Sequence, residues 1–309
     1  MGYGMINSTL FFNDFTCIDH AIINDKGDIV GGSFHPVVEV SGNVTNDESV
    51  VVDFSSGKAR MKGVIDDAFI GLDHHLVVID GYSDCTIEYN VMLGGARHTR
   101  IVTSKLDITV PYCDVIVIEN VNDDVKASFE NYIEYLLSTN MSEFKFKCTL
   151  NQRPHLFNPD NKIQPIMFRY VHGLKNSTSY GCKNIAHGHL SFFEITESQY
   201  RKSCNDCQRG IANIREWFDK LGYNLMFVNA ENVVSRNGRM ITIMYQTGRG
   251  MMRIEIKDPG YRYIELGSET TIEHLAEFIK HEIMGDLMLA KVRQFRISEG
   301  LQKGVVVNV

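Results

Sequence analysis

The chain has 309 residues, long for one domain and sufficient for two of about 150. Its 44% hydrophobic and 22% charged residues are those of a folded globular protein and exclude a largely disordered one. A net charge of −7, with no run of Lys or Arg, argues against nucleic acid and against polybasic membrane binding.

The opening "MGYGMINSTLFFNDF" lacks the basic start and apolar core of a secretory leader, and no apolar run nears the roughly 18 residues of a membrane span. The seven cysteines are an odd number at irregular spacing, so a cytoplasmic, reducing setting is expected and no disulfide framework. In chain order, "SFHPVVEVSG" at 33–42 reads as a long strand and 57–70 as a helix. "GLDHHLVVID" at 71–80 then sets Asp73 and His74 side by side ahead of an apolar strand. A β-rich stretch, "TRIVTSKLDITV", precedes the helical "DDVKASFENYIEYLL" and a closing strand, "EFKFKCTL". Pro154, Pro159 and Pro165 follow within 152–165; proline removes a backbone donor and restricts its predecessor, so 154–165 reads as a linker.

Beyond the linker the same order returns. "FRYVHGL" offers His172 in a strand-like piece, and "GCKNIAHGHLSFFEI" at 181–195 offers Cys182, His187 and His189 on the approach to an apolar strand. A helix over 208–222 carries Ile211, Ile214, Phe218 and Leu221 on one face. Another β-rich stretch is followed by "ETTIEHLAEFIKHEIM", with Ile272, Leu275, Ala276, Ile279 and Ile283 on one face, and by "VRQFRISEG". The repeated order predicts two tandem α+β halves, 1–153 and 166–309, each an antiparallel sheet with two helices on one face.

His187 and His189 flank a glycine in an extended segment, so both imidazoles can address one ion. With His172 they give zinc three ligands and one open position, the layout of a catalytic site. The alternative is three structural histidines, each satisfied by its own partner. Cys204 and Cys207 have redox or metal spacing without a partner pair and read as ordinary cysteines; His75 reads as structural. Glu119 and Glu194, inside strands, are assigned nothing.

The motif F-x-Y-x-H…C-x-x-x-x-H-G-H ahead of a strand resembles the 6-pyruvoyltetrahydropterin synthase / 6-carboxytetrahydropterin synthase family, T-fold enzymes acting on dihydroneopterin triphosphate. The first half is similar to that family through "FTCIDHAI", "SFHPVVEVSG", "VVVDFSSGK" and "GLDHHLVV". The resemblance implies two tandem T-fold repeats, each lacking what the other keeps. Where the family has H-G-H the first half has Val30-Gly31-Gly32, which leaves His20 alone, and Leu150 stands where the family has its pterin-anchoring glutamate. The second half keeps Glu299 there, and "TTIEHLA" with Thr271, but has "LGYNLMFV" in place of the aspartate–histidine pair.

By the resemblance, zinc on His172, His187 and His189 binds the side-chain hydroxyls of the dihydropterin, and Cys182 is the general base. Asp73 orients His74 for proton transfer, and Glu299 and Thr271 hold the substrate. The implied activity is a zinc-dependent lyase; "SF" and "LDHH" look more like the carboxy-forming branch, which feeds 7-deazapurine (queuosine) synthesis. The family also implies a homo-oligomer, here a ring-forming dimer or tetramer. Competing readings are a non-catalytic pterin- or purine-binding T-fold protein and a GTP cyclohydrolase.

Overall fold

A computed structural model describes residues 7–44, 50–82, 84–153, 163–175, 187–222, 225–238, 240–247, 249–258 and 260–309. The first half runs β1 (Asn7–Phe12), β2 (Ile18–Ile23), β3 (Ile29–Asn43), α1 (Phe54–Ile65), β4 (Leu76–Ile79), β5 (Thr86–Leu93), β6 (Ala96–Val102), β7 (Leu106–Pro111), β8 (Val115–Ile118), α2 (Val125–Asn140) and β9 (Lys145–Asn151). The second runs β10 (Ile166–His172), β11 (His187–Ser198), α3 (Asn205–Leu221), β12 (Leu225–Asn229), β13 (Val233–Asn237), β14 (Met240–Gln246), β15 (Met251–Ile256), β16 (Tyr263–Leu266), α4 (Ile272–Glu282), α5 (Met284–Leu289), β17 (Val292–Glu299) and β18 (Lys303–Asn308).

Local chemistry sets several boundaries. Asp53 caps α1 by accepting from the Ser56 amide, and Asp124 caps α2 by accepting from the Lys126 and Ala127 amides. The β2–β3 turn is closed by Asn24, whose Oδ1 accepts from the Lys26 and Asp28 amides, and Gly27 supplies the positive φ of 71°.

Two sheets share one plan. The order β9-β3-β2-β4-β8 matches β17-β11-β10-β12-β16 strand for strand, with the same parallel or antiparallel sense at each pair. β1 adds an edge to the first and β18 to the second. The sheets are mixed, where the sequence predicts antiparallel ones: β2/β4, β4/β8, β10/β12 and β12/β16 are parallel. The reason is the connections. β2 reaches β4 through β3 and α1, and β10 reaches β12 through β11 and α3. β4 reaches β8, and β12 reaches β16, through strands of the third sheet, so each arriving strand runs with the strand it joins.

The helices cover one face of each sheet. Met61, Ile65, Phe129, Ile133 and Leu137 pack on the first sheet, and the predicted faces of α3 and α4 pack on the second, where Ile272, Leu275, Ala276, Ile279 and Ile283 are all buried. The β-rich stretches of both halves join in a third sheet, β13-β14-β15-β7-β6-β5, through the antiparallel pair β7/β15. All three sheets enclose one further core, with Ala21 and Leu76 from the first, Val171 and Met226 from the second, and Ile108 and Ile254 from the third. The helix-free faces of the first two sheets thereby face each other, which brings β2 and β3 against β10 and β11. Among the described residues, no helix is long and apolar enough to cross a membrane.

Candidate active site

The β10/β11 ladder sets His172 opposite His187 and Tyr170 opposite His189. Alternate residues of a strand share a face, so all three imidazoles meet on one side. All three are fully buried, with ring centroids 4.5–5.1 Å apart. The Nε2 atom of His189 lies 3.0 Å from that of His172 and 3.0 Å from that of His187.

Protonation decides what this cluster can hold. Nδ1 of His172 lies 2.7 Å from the Thr270 carbonyl oxygen, which only accepts, so the proton sits on Nδ1 and Nε2 carries a lone pair. Burial, followed by the neighbouring His189, pushes the His172 pKa well below its ordinary value and keeps the ring neutral. Nδ1 of His189 faces Oδ1 of Asp19 at 3.3 Å, outside aligned hydrogen-bond geometry, and a proton on Nδ1 facing that carboxylate leaves the Nε2 lone pair turned inward. Two lone pairs 3.0 Å apart repel unless a cation lies between them. Tetrahedral zinc with Zn–N bonds of 2.0–2.1 Å holds its nitrogens roughly 3.3 Å apart, so the donor set fits that ion. A carbonyl and a carboxylate behind the ligands are the usual way of fixing their tautomers.

Asp19 is the residue that sequence reasoning missed. It is 2% exposed and comes from β2, in the half opposite the histidines. Its Oδ1 accepts the Ser33 hydroxyl at 2.6 Å, and Lys303 Nζ lies 3.8 Å from Oδ2. Burial opposes its ionisation; His189, Lys303 and His74 outweigh that and hold the carboxyl below the usual carboxylate range. The β17–β18 turn closes over it at Gly300, where φ is 69° and a Cβ would overlap the carboxylate.

Asp19 also ties the histidines to Asp73 and His74. Its amide donates to Asp73 Oδ1 at 2.9 Å, and its carbonyl accepts from the His74 amide at 2.5 Å. Asp73 Oδ2 takes the Nδ1 proton of His74 at 2.7 Å. These bonds hold His74 at a φ of 59°, a conformation uncommon outside glycine. Its ring centroid then stands 4.9 Å from that of His187 and 6.5 Å from that of His189 within the same chain. Asp19, Asp73 and His74 also lie close enough to suggest a second ion. Both oxygens of Asp73 and Oδ1 of Asp19 already accept protons, so the cluster reads as a hydrogen-bond network.

Glu299 ends β17 with Oε1 4.0 Å from His172 Nε2 and 3.9 Å from His189 Nε2, and with Oε2 3.4 Å from Lys303 Nζ. Thr271 occupies the N-cap position of α4 and its hydroxyl lies 3.4 Å from His274 Nδ1; its neighbour Thr270 is the one that reaches the cluster. Cys182 lies outside the described residues. His75 is buried, with Nδ1 2.9 Å from the Asp73 carbonyl oxygen and Nε2 3.0 Å from that of Cys113. Glu194 is buried against Arg296 at 2.5 Å, and Glu119 is exposed. Cys204 caps α3 by accepting from the Cys207 amide at 3.3 Å, and both thiols are free.

Strand register revises the first-half counterparts. Counted from Gly31 and Gly188, the place of His172 is taken by Ile22, that of His187 by Val30 and that of His189 by Gly32, while His20 stands at the place of Tyr170. Counted the same way through β9 and β17, the counterpart of Glu299 is Gln152 and that of Ile297 is Leu150. The motif comparison, which puts Leu150 at the glutamate's place, is thus two residues out. The slip is invisible to apolar alternation because both positions face the same way.

No protein-family model matches the chain, and no curated protein matches it. Part of the chain aligns with solved structures of 6-pyruvoyl tetrahydropterin synthase. The Plasmodium falciparum enzyme is 22% identical with a TM-score of 0.34, over 44% of this chain and 80% of that one. The Plasmodium vivax enzyme is 17% identical with a TM-score of 0.38, over 49% and 94%. A catalytic-residue mutant of the vivax enzyme aligns at 17% identity and a TM-score of 0.35 over the same shares.

Proposed function

We propose that the chain is a zinc-dependent lyase of the tetrahydropterin-synthase type, acting on 7,8-dihydroneopterin triphosphate at one site shared between two T-fold repeats. One observation carries the reading: three buried imidazoles present Nε2 atoms to one point, and an Asp73–His74 pair from the other half stands beside them. A purely structural histidine cluster has no use for that pair. The repeats are residues 1–153 and 166–309 joined by 154–165, and the matched order of the two mixed sheets supports the duplication.

Zinc on His172, His187 and His189 would supply Lewis acidity to hydroxyls of the bound side chain. The protein's own groups do the rest. Asp73 holds the Nδ1 proton of His74, so that the opposite nitrogen exchanges protons with the substrate. Glu299, as the resemblance implies, accepts two N–H bonds from the pterin edge. Lys303 beside it places a positive charge at the same mouth, and Thr271 stands at the N-terminus of α4 nearby. Cys182 takes the role of general base, its thiol activated by a neighbouring imidazole or metal. The carboxy-forming product, a cytoplasmic setting and a ring-shaped homo-oligomer complete the reading.

A second reading is favoured by Glu299 alone. A carboxylate oxygen 3.9–4.0 Å from two ligand nitrogens can close the fourth position and make the site structural. Incubating zinc-loaded protein with 7,8-dihydroneopterin triphosphate and identifying products by mass spectrometry separates the two. Release of triphosphate with a tetrahydropterin product supports the lyase. An inert protein that retains zinc supports the closed site, and opening of GTP would make it a cyclohydrolase.

A further inference from the structure

The place in the first sheet that corresponds to the histidine site is a cleft of about 730 Å³, lined in part by His20, Val30, Leu150, Lys126, Arg153 and Arg169. That volume is ordinary for a small-molecule site. Its chemistry is inverted with respect to the histidine site. Gln152 stands in register for Glu299, so one carboxylate has become an amide. The residue in register with Asp19 is Arg169, so the group reaching in from the opposite half has changed from an anion to a cation.

The glycine at 32 belongs to this change. A Cβ there would stand 2.6 Å from His20 Nε2 and 3.3 Å from Arg169 Nη1, so a ligand histidine at this place would have to displace the His20 ring and crowd the guanidinium. Arg169 donates from Nη1 to the Gly31 carbonyl oxygen at 3.0 Å and from Nη2 to Gln152 Oε1 at 3.4 Å. A guanidinium has five N–H donors, so these two contacts leave capacity for more. Among the described residues it forms no ion pair with a carboxylate, and burial alone pushes its pKa down. A desolvated charge without a counter-ion is costly, and an anionic ligand relieves that cost. Arg153 adds positive charge at the rim, as does Lys126, which also pairs with Glu130 at 3.4 Å; Asp124, the acidic residue among the lining, is engaged in capping α2. The wall behind is apolar and flat: His20 stacks on Phe34 at 5.1 Å and 9° between planes, next to Ile22, Val30 and Leu150.

We infer that this cleft binds a small organic anion, a carboxylate or phosphate ester with a flat apolar body, whose charged group meets Arg169. The inference stands on the cleft's own residues and holds whether or not the histidine site is catalytic. Phenyl phosphate, benzoate and inorganic phosphate serve as probes in isothermal titration of the full chain. Phenyl phosphate or benzoate should saturate one site more tightly than inorganic phosphate does, and whichever binds better assigns the anion. Affinity should fall at least tenfold in Arg169→Met and stay within twofold in His189→Ala. The double variant Lys126→Ala/Arg153→Ala leaves the Arg169–Gly31 bond intact and should weaken binding at least threefold. It decides the matter if Arg169→Met fails to fold. Absence of saturable binding, affinity unchanged in the folded cleft variants, or binding abolished by His189→Ala would each overturn the inference.

Discussion

Gly31 and Gly188 lie against each other where the two sheets meet. A Cβ on Gly188 would stand 2.6 Å from the Gly31 Cα and 2.5 Å from the Tyr170 carbonyl oxygen, and one on Gly31 would overlap that same oxygen. The glycine between His187 and His189 therefore serves the contact between halves, and through it the approach of Asp19 to His189.

Gly188→Ala should destabilise the protein by about 1–3 kcal/mol or more, since the obstructing atoms are backbone and cannot rotate away. Zinc affinity should fall with it, because Asp19 and His189 are drawn apart. Differential scanning calorimetry and metal analysis read the two effects. A variant with wild-type melting and zinc content would show that the sheets do not pack this way.

Asp19→Asn should lower zinc affinity by roughly 10- to 100-fold, the usual cost of losing a carboxylate behind a ligand histidine. Wild-type protein should carry one ion per chain, since Ile22, Val30 and Gly32 replace the ligands in the first half. Competition with a chelator of known affinity measures both; two tight ions per chain would contradict the register.

The helical faces were readable from residue spacing, because burying one stripe of Ile272, Leu275, Ala276, Ile279 and Ile283 depends on the helical period alone. The histidine trio was readable because two of its members share one strand. Asp19 and the Thr270 carbonyl were not: each meets its histidine across a contact separated by roughly 100 residues or more, and a carbonyl leaves no mark in composition. The parallel pairs were missed because strand direction follows from where a connection lands, whether it runs through a helix or through strands of the third sheet, and residue type does not encode that. Gln152 was missed because a two-residue slip preserves the alternation.

His20 gives the protein an acid limit. Burial, partly offset by its contact with the Ile18 carbonyl, lowers its pKa to about 4 from an ordinary 6.5. Below pH 6.5 the unfolded chain therefore binds a proton that the folded one refuses. Stability is complete above that pH and drains away as pH falls from about 6.5 to about 4, by on the order of 3 kcal/mol. In denaturant titrations between pH 7 and 4, His20→Gln should lose less stability than wild type over that interval. Parallel curves for the two proteins would mean that His20 does not titrate between its folded and unfolded states.

His74→Ala tests the shared site most directly. His74 is not among the three imidazoles proposed to hold zinc and its ring is oriented by Asp73, so its loss should leave zinc bound and oligomer size unchanged, while turnover falls by on the order of 10²- to 10⁴-fold. Replacing His189 by Ala should instead remove the metal. Mixing the two variants adds a geometric test, because His74 and His187 lie 4.9 Å apart within one chain. Every site in a mixed oligomer then carries one lesion or the other, and activity should stay at the sum of the parents even where subunit exchange is shown by labelled chains. Recovery toward a quarter of wild-type sites would place the working pair on different chains. Wild-type turnover in His74→Ala would deny the Asp73–His74 pair any part in the chemistry.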